Sequence, residues 1–294
     1  MRPRIDAMRQ RGFTLVEAVM VIVIVGVIGA MLAVFIRVPV QGYADSLARA
    51  ELSDTADLAL RRIARDLRLA LPNSVRVSQS GEAIEMLLTR TGGRYLSAED
   101  SVEVAPVLDF VAPGNVKLSV VGAAPGPDQL TPGRDYFVVN NLGPDFAPAN
   151  AYDYSSAQRN ITKVSDVDSA HNLIMLADNP FAVQLPPSPS PTQRFHIVSG
   201  PVTYECGLEP DGATRLLTRQ SGYDIASVQL ADPVRATGRG QRALLAGRVR
   251  SCQFQYEALG RRNALVILTL ELQARSSTDA TIRLVHQVHV DNTP

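Results

Sequence analysis

Hydrophobic and polar positions change rhythm along this chain, and each change predicts an element. From Phe13 to Ile36 the 24 residues carry one charge, Glu17. Wound as a helix they span roughly 36 Å, enough for a hydrocarbon core of about 30 Å. This predicts a membrane-crossing helix over residues 13–37. From about Gln41 to Leu71 the pattern becomes amphipathic. Leu52, Ala56, Ala59, Ile63, Leu67 and Leu71 recur three or four apart, and Asp54, Asp57, Arg61, Arg65 and Arg68 hold the opposite face. Residues 38–72 therefore read as a continuation of the helix, with its apolar stripe packing onto a head domain. Pro39 is expected to kink or briefly break it, and Pro72 to end it.

Past residue 75 the runs shorten and alternate, so residues 73–294 read as a β-rich head domain. Ala83–Arg90, Val104–Val111, Val116–Val121 and Asp135–Asn140 are strand-like and bounded by Gly, Pro or Asn. Ala123–Gly133 and Gly143–Ser155 are turn-rich, and residues 123–192 read as an insertion of long loops between β regions. Gln184–Thr192, with its PPSPSP run, reads as an extended surface connector. Arg194–Ser199, Val202–Cys206 and Arg215–Arg219 read as strands. Ala243–Glu257, Ala264–Arg275 and Thr281–Val290 form an antiparallel meander by pattern, with turns at Leu259–Asn263 and Ser276–Asp279. The fold class is α+β: a long N-terminal helix packed on an antiparallel sheet.

Charge sharpens the first segment. Arg2, Arg4, Arg9 and Arg11 against Asp6 give residues 1–12 a net +3, so the remainder carries −3 in a chain of zero formal charge. Basic residues before an apolar run favour an N-inside orientation, which puts residues 37–294 outside the cytoplasm. A net-acidic remainder argues against nucleic-acid binding by bulk electrostatics. A secretory signal peptide is disfavoured by the length of the run and the lack of an A-x-A site after it. A soluble buried helix is disfavoured by uniform apolarity. An ordinary signal anchor leaves Glu17 unexplained, and a carboxylate in a lipid-facing helix costs on the order of 2–3 kcal/mol if central.

The string Arg11-Gly12-Phe13-Thr14-Leu15-Val16-Glu17 resembles the leader-peptidase site of type IV pilins and pseudopilins. It combines a basic leader, Gly before the cut, a Phe-Thr-Leu-x-Glu start and an unbroken apolar helix. The resemblance implies a leader at residues 1–12, cleavage between Gly12 and Phe13 by the prepilin peptidase, and N-methylation of Phe13. Gly12 lets a protease approach the backbone closely. Glu17 lies four residues beyond the new amine, on the same helix face. In the family this carboxylate pairs with a neighbouring subunit's N-terminal amine during assembly. Such a pair is favourable only when both charges are present.

More widely spaced strings resemble the MshO group of minor pilins of mannose-sensitive haemagglutinin (MSHA) pili. They are Asp135–Gly143, Arg194–Cys206, Val249–Tyr256 and Gln287–Pro294. The broader relation is to the J-type minor pseudopilin of type II secretion. K-type tip pseudopilins typically lack the glutamate, so Glu17 argues against that role. The resemblance implies a structural subunit, not an enzyme, in the initiation or tip complex of a filament. Its partners would be the prepilin peptidase, other major and minor pilins, the inner-membrane assembly platform and membrane lipid. Its place would be the inner membrane, single-pass, with a periplasmic head that later joins a filament. A DNA-uptake pilus subunit is the further alternative, and it would want an exposed basic patch.

Two cysteines, Cys206 and Cys252, sit on strand-like runs 46 positions apart. In an exported chain they are expected to pair, with two separate buried thiols as the alternative. A bridge is worth about 4 kcal/mol in the chain-entropy account. Gly26 and Gly29 read either as small residues for close helix packing or as points of helix loosening. No cofactor or metal is expected. His286 and His289 lie three apart on a strand and so face opposite sides. Asp166 and Asp168 lack a calcium loop. Gly238-Arg239-Gly240, near Arg235 and Arg242, is too short for a phosphate cradle and reads as a solvated loop, with a partner contact or an anionic-surface contact as the alternative.

Overall fold

The computed structural model describes residues 12–99, 105–209, 212, 215–260, 262–274 and 281–294. The leader before Gly12, the start of the 104–111 run, part of the 259–263 turn and the 276–279 turn lie outside them. The chain divides into two compact units, Met1–Ala50 and Glu51–Pro294.

In the first unit the helix α1 (Leu15–Arg68) begins. It is continuous through Gly26, Gly29 and Pro39, so the break expected at Pro39 does not occur. Every described side chain from Gly12 to Leu47 is exposed, and a window of this segment has a mean hydropathy of 3.1.

In the second unit α1 ends its run. Leu52, Ala56, Ala59, Ile63, Leu67 and Leu71 are all buried, while Asp54, Arg61, Arg65 and Arg68 face solvent. The helix stops at Arg68, earlier than Pro72, because the chain is drawn into a sheet. Leu69 and Ala70 N–H groups donate to carbonyls three residues back, and Leu71 N–H then donates to Leu87 O at 2.8 Å. Thr89 N–H returns a bond to Leu69 O.

Among the described residues twelve strands complete this unit: β1 (Arg76–Val77), β2 (Ala83–Tyr95), β3 (Lys117–Val121), β4 (Tyr136–Val139), β5 (Ile161–Asp168), β6 (Leu173–Leu176), β7 (Arg194–Leu208), β8 (Arg215–Ser221), β9 (Gln241–Ala246), β10 (Val249–Ala258), β11 (Asn263–Gln273) and β12 (Thr281–Asp291). A short helix α2 (Pro233–Thr237) lies between β8 and β9. One sheet runs β1-β2-β3-β6-β5-β4-β7-β8-β9, and the other is β10-β11-β12.

The larger sheet closes on itself. β2 pairs with β3 at one end and also with β7 along residues 83–94, so β2-β3-β6-β5-β4-β7 forms a ring of six antiparallel strands. Leu118, Phe137, Val164, Ile174, Phe195 and Ile197 fill it, with Phe137 and Phe195 stacked at 4.8 Å. Tyr136 and Val138, the alternate positions of β4, pack instead with Leu71, Leu87, Ile161 and Val198. β4 is therefore buried on both faces, which is why it reads as a continuous apolar run.

Several expected boundaries shift. The 123–192 region is not an insertion of loops, because it contributes β4, β5 and β6 to the ring. Residues 105–111 are not a strand; Asp109 Oδ1 accepts from Val111 and Ala112 N–H and turns the chain. The two runs at 194–199 and 202–206 are one strand, β7, which passes Gly200 at φ +112 without breaking. Conversely, 243–257 is two strands in different sheets. They are parted at Gly247 and at Arg248, whose φ is +59. Gln184–Thr192 is more than a surface spacer. Buried Gln184 donates to Arg159 O, and Ser190 N–H donates to the Tyr95 hydroxyl inside the ring. The β10-β11-β12 meander forms, regular apart from a register shift between Val249 and Ser251, with Ala264, Val266, Leu268, Leu270 and Leu272 on the buried face of β11.

Candidate functional site

The N-terminal segment owes its geometry to Thr14. The helix starts at Leu15, so Thr14 is its N-cap and Glu17 its third residue. Glu17 N–H donates to Thr14 Oγ1 at 3.4 Å and Ala18 N–H to Thr14 O at 3.1 Å. Thr14-Leu15-Val16-Glu17 is thus a T-x-x-E capping sequence, a second use for residues that also belong to the cleavage string. The cap puts the Glu17 carboxylate beside the positive end of the helix dipole, where a negative charge is favoured. Phe13 is 78% exposed, and among the described residues nothing lies within 4 Å of where a Cβ on Gly12 would sit. The helix beyond exposes Val, Ile, Leu and Met on all sides. A helix apolar all round needs lipid or other helices to cover it.

In the head, one carboxylate holds α1 to the larger sheet. Asp66 is 5% exposed; its Oδ2 accepts from the Tyr204 hydroxyl at 2.7 Å and from Arg219 Nε at 2.8 Å. Tyr204 and Arg219 are direct partners across β7 and β8. Burial and the Asp66 contact push the Tyr204 phenol well above its ordinary value. Burial works against the Arg219 charge, but the hydrogen bonds and charges of Asp66 and Tyr204 together outweigh it and raise the guanidinium. Sequence reasoning missed Asp66. The signal it offered was an acidic residue between Ile63 and Leu67 on the buried stripe.

A second buried pair fixes the start of the sheet. Arg76 binds Glu85 Oε2 at 3.0 Å, lies over the Tyr152 ring and donates to Ala226 O and Ser227 O. Desolvation raises the Glu85 carboxyl despite Arg76. Cys206 on β7 and Cys252 on β10 form a disulfide with Cα atoms 6.4 Å apart, the covalent tie between the two sheets.

The remaining candidates resolve into turns. Asp168 accepts from Ala170 N–H, His171 N–H and His171 Nδ1, closing the β5–β6 hairpin. Asp232 caps α2 by accepting from Arg235 N–H, and Gly238 at φ 65 ends it. Among the described residues no group of three or more His, Cys, Asp or Glu side chains is placed to hold a metal.

Comparison with known proteins matches one family description, the prokaryotic N-terminal methylation motif, at residues 7–33. This is a type IV pilin-like signal, and it spans the cleavage string, Thr14, Glu17 and all but the last few residues of the apolar run. No curated protein and no solved structure matches the chain at a significant level.

Proposed function

We propose that this chain is a minor pilin of a type IV pilus, most like the MshO group of MSHA pili, acting in assembly initiation or in the tip complex. The observation that carries the reading is the methylation motif at the head of a wholly exposed apolar helix. The prepilin peptidase removes the leader after Gly12 and methylates Phe13. The helix then holds the chain in the inner membrane, single-pass, with the β head in the periplasm. Glu17 neutralises the N-terminal amine of a neighbouring subunit as the chain passes from lipid into a filament. Other pilins and the assembly platform are its partners. The Cys206–Cys252 bond supports export to an oxidising compartment. The large head, with twelve strands in two sheets among the described residues, supports a minor rather than a bulk subunit.

Deletion of the gene, followed by counts of surface pili and assay of secreted proteins, tests this. Lost pili with intact secretion, restored by the intact chain, is the expected result. Intact pili with lost secretion would instead make the chain a J-type minor pseudopilin.

A further inference from the structure

We propose that the head binds a small soluble oxyanion, a carboxylate or phosphate compound, in a cleft on the larger sheet. The cleft encloses about 450 Å³ and is walled by Arg90, Arg134, Arg219, Ser199, Ser221 and the Gly222–Gly240 contact, with Asp135 as its one acid. That volume lies in the range of small-molecule sites, larger than a single inorganic ion needs.

The charges do not cancel. Arg219 is engaged by Asp66, and Arg90 lies 3.4 Å from Asp135. Asp135 is itself turned inward, 2% exposed, where it accepts from Thr131 N–H at 2.7 Å. Arg134 is exposed and has no ion-pair partner among the described residues. Two of the three guanidinium groups are thus balanced by buried carboxylates, Arg219 by Asp66 and Arg90 by Asp135, and Arg134 is left as the net positive charge at the opening. Arg forks suit carboxylate and phosphate geometry.

The wall is also pre-formed. Gly222 and Gly240 have φ +78 and +103, and a Cβ on Gly240 would come within 2.5 Å of Ser221 O. Only glycine lets these two backbones pass so closely. The Gly238-Arg239-Gly240 turn, too short for a phosphate cradle in its own right, thus becomes one edge of a basic cleft made by residues distant in sequence. Arg239, 73% exposed beside Asp224, stands next to that edge.

The test uses the full chain in non-ionic detergent at low salt. Inorganic phosphate and citrate are titrated separately by calorimetry, with glycerol as the neutral control. Saturable binding of either anion at one site per chain is expected. R134A should weaken it at least tenfold and R90A/R134A should remove it. R61A, a surface arginine paired with Asp57 on the helix, should leave it unchanged. The preferred anion then distinguishes phosphate from carboxylate ligands. Absence of saturable binding by both anions, or equal affinity in R134A whose thermal unfolding matches the parent chain, would overturn the proposal. This inference stands apart from the pilin reading, since the cleft draws on no residue of the N-terminal motif.

Discussion

Asp66→Ala tests how the second half of α1 is held to the sheet. The substitution removes the acceptor for two donors at once, the Tyr204 hydroxyl and Arg219 Nε. Breaking a fully buried ion pair by removing one partner costs about 3–5 kcal/mol. Arg219 keeps 16% side-chain exposure and a second bond to Ser221, so part of its charge is still served. Arg62, 4.0 Å away, loses a weak contact only. The expected loss is about 2–4 kcal/mol, the hydroxyl accounting for about 1 of it. Tyr204→Phe alone should therefore cost about 1 kcal/mol. Urea unfolding of the full chain gives the totals, and amide exchange over residues 56–67 locates them. At about 1.4 kcal/mol per tenfold, protection there should fall at least tenfold. A loss under about 0.5 kcal/mol, with unchanged exchange in the helix, would refute the claim that Asp66 anchors it.

Glu17→Ala should leave cleavage and membrane insertion intact but reduce incorporation into filaments, measured by the share of the chain in sheared pili; normal incorporation would sink the registration role. The double substitution C206A/C252A should lower stability by about 4 kcal/mol in the chain-entropy account for a closure spanning 46 positions, read by urea unfolding with and without reductant. Glu205 gives a pH dependence: burial foremost, with Asp232 adding, lifts its carboxyl from 4.5 to about 7. The folded state then binds the proton more tightly than the unfolded chain, so this group's contribution to stability is greatest below pH 4.5 and is lost as pH rises toward 7. E205Q should flatten that slope and stabilise the chain at pH 8 by about 2 kcal/mol, less than full linkage because solvent reaches part of the carboxylate; an unchanged slope in the unfolding series would reject the assignment.

The parts of the molecule governed by local chemistry were readable in the sequence. The α1 stripe from Leu52 to Leu67 follows helical spacing because each of those side chains is buried in the head. The β10-β11-β12 meander follows period-two alternation because one face of β11 is buried and the other is not. Thr14 and Glu17 form a capping sequence visible as letters. The ring was not readable. Its closure depends on residues 83–94 meeting 194–205, a pairing no local pattern encodes. β5 and β6 hid behind Asp166, which sits at an irregularity within β5, and behind Asp168, His171 and Asn172 at the hairpin turn. Asp66 was missed because its one signal, an acidic residue on the buried stripe, does not name its partners, Tyr204 and Arg219. The cleft was invisible for the same reason, since Arg90, Arg134 and Arg219 come from three separate segments.

The most direct test of the pilin reading is mass spectrometry of the chain's N-terminal peptide, isolated from membranes with and without an active prepilin peptidase. The expected result is a peptide beginning at Phe13 and carrying one added methyl group on its amine, and an unprocessed chain when the peptidase is absent. A chain retaining residues 1–12 in the presence of active peptidase, or one cut after the apolar helix, would contradict it.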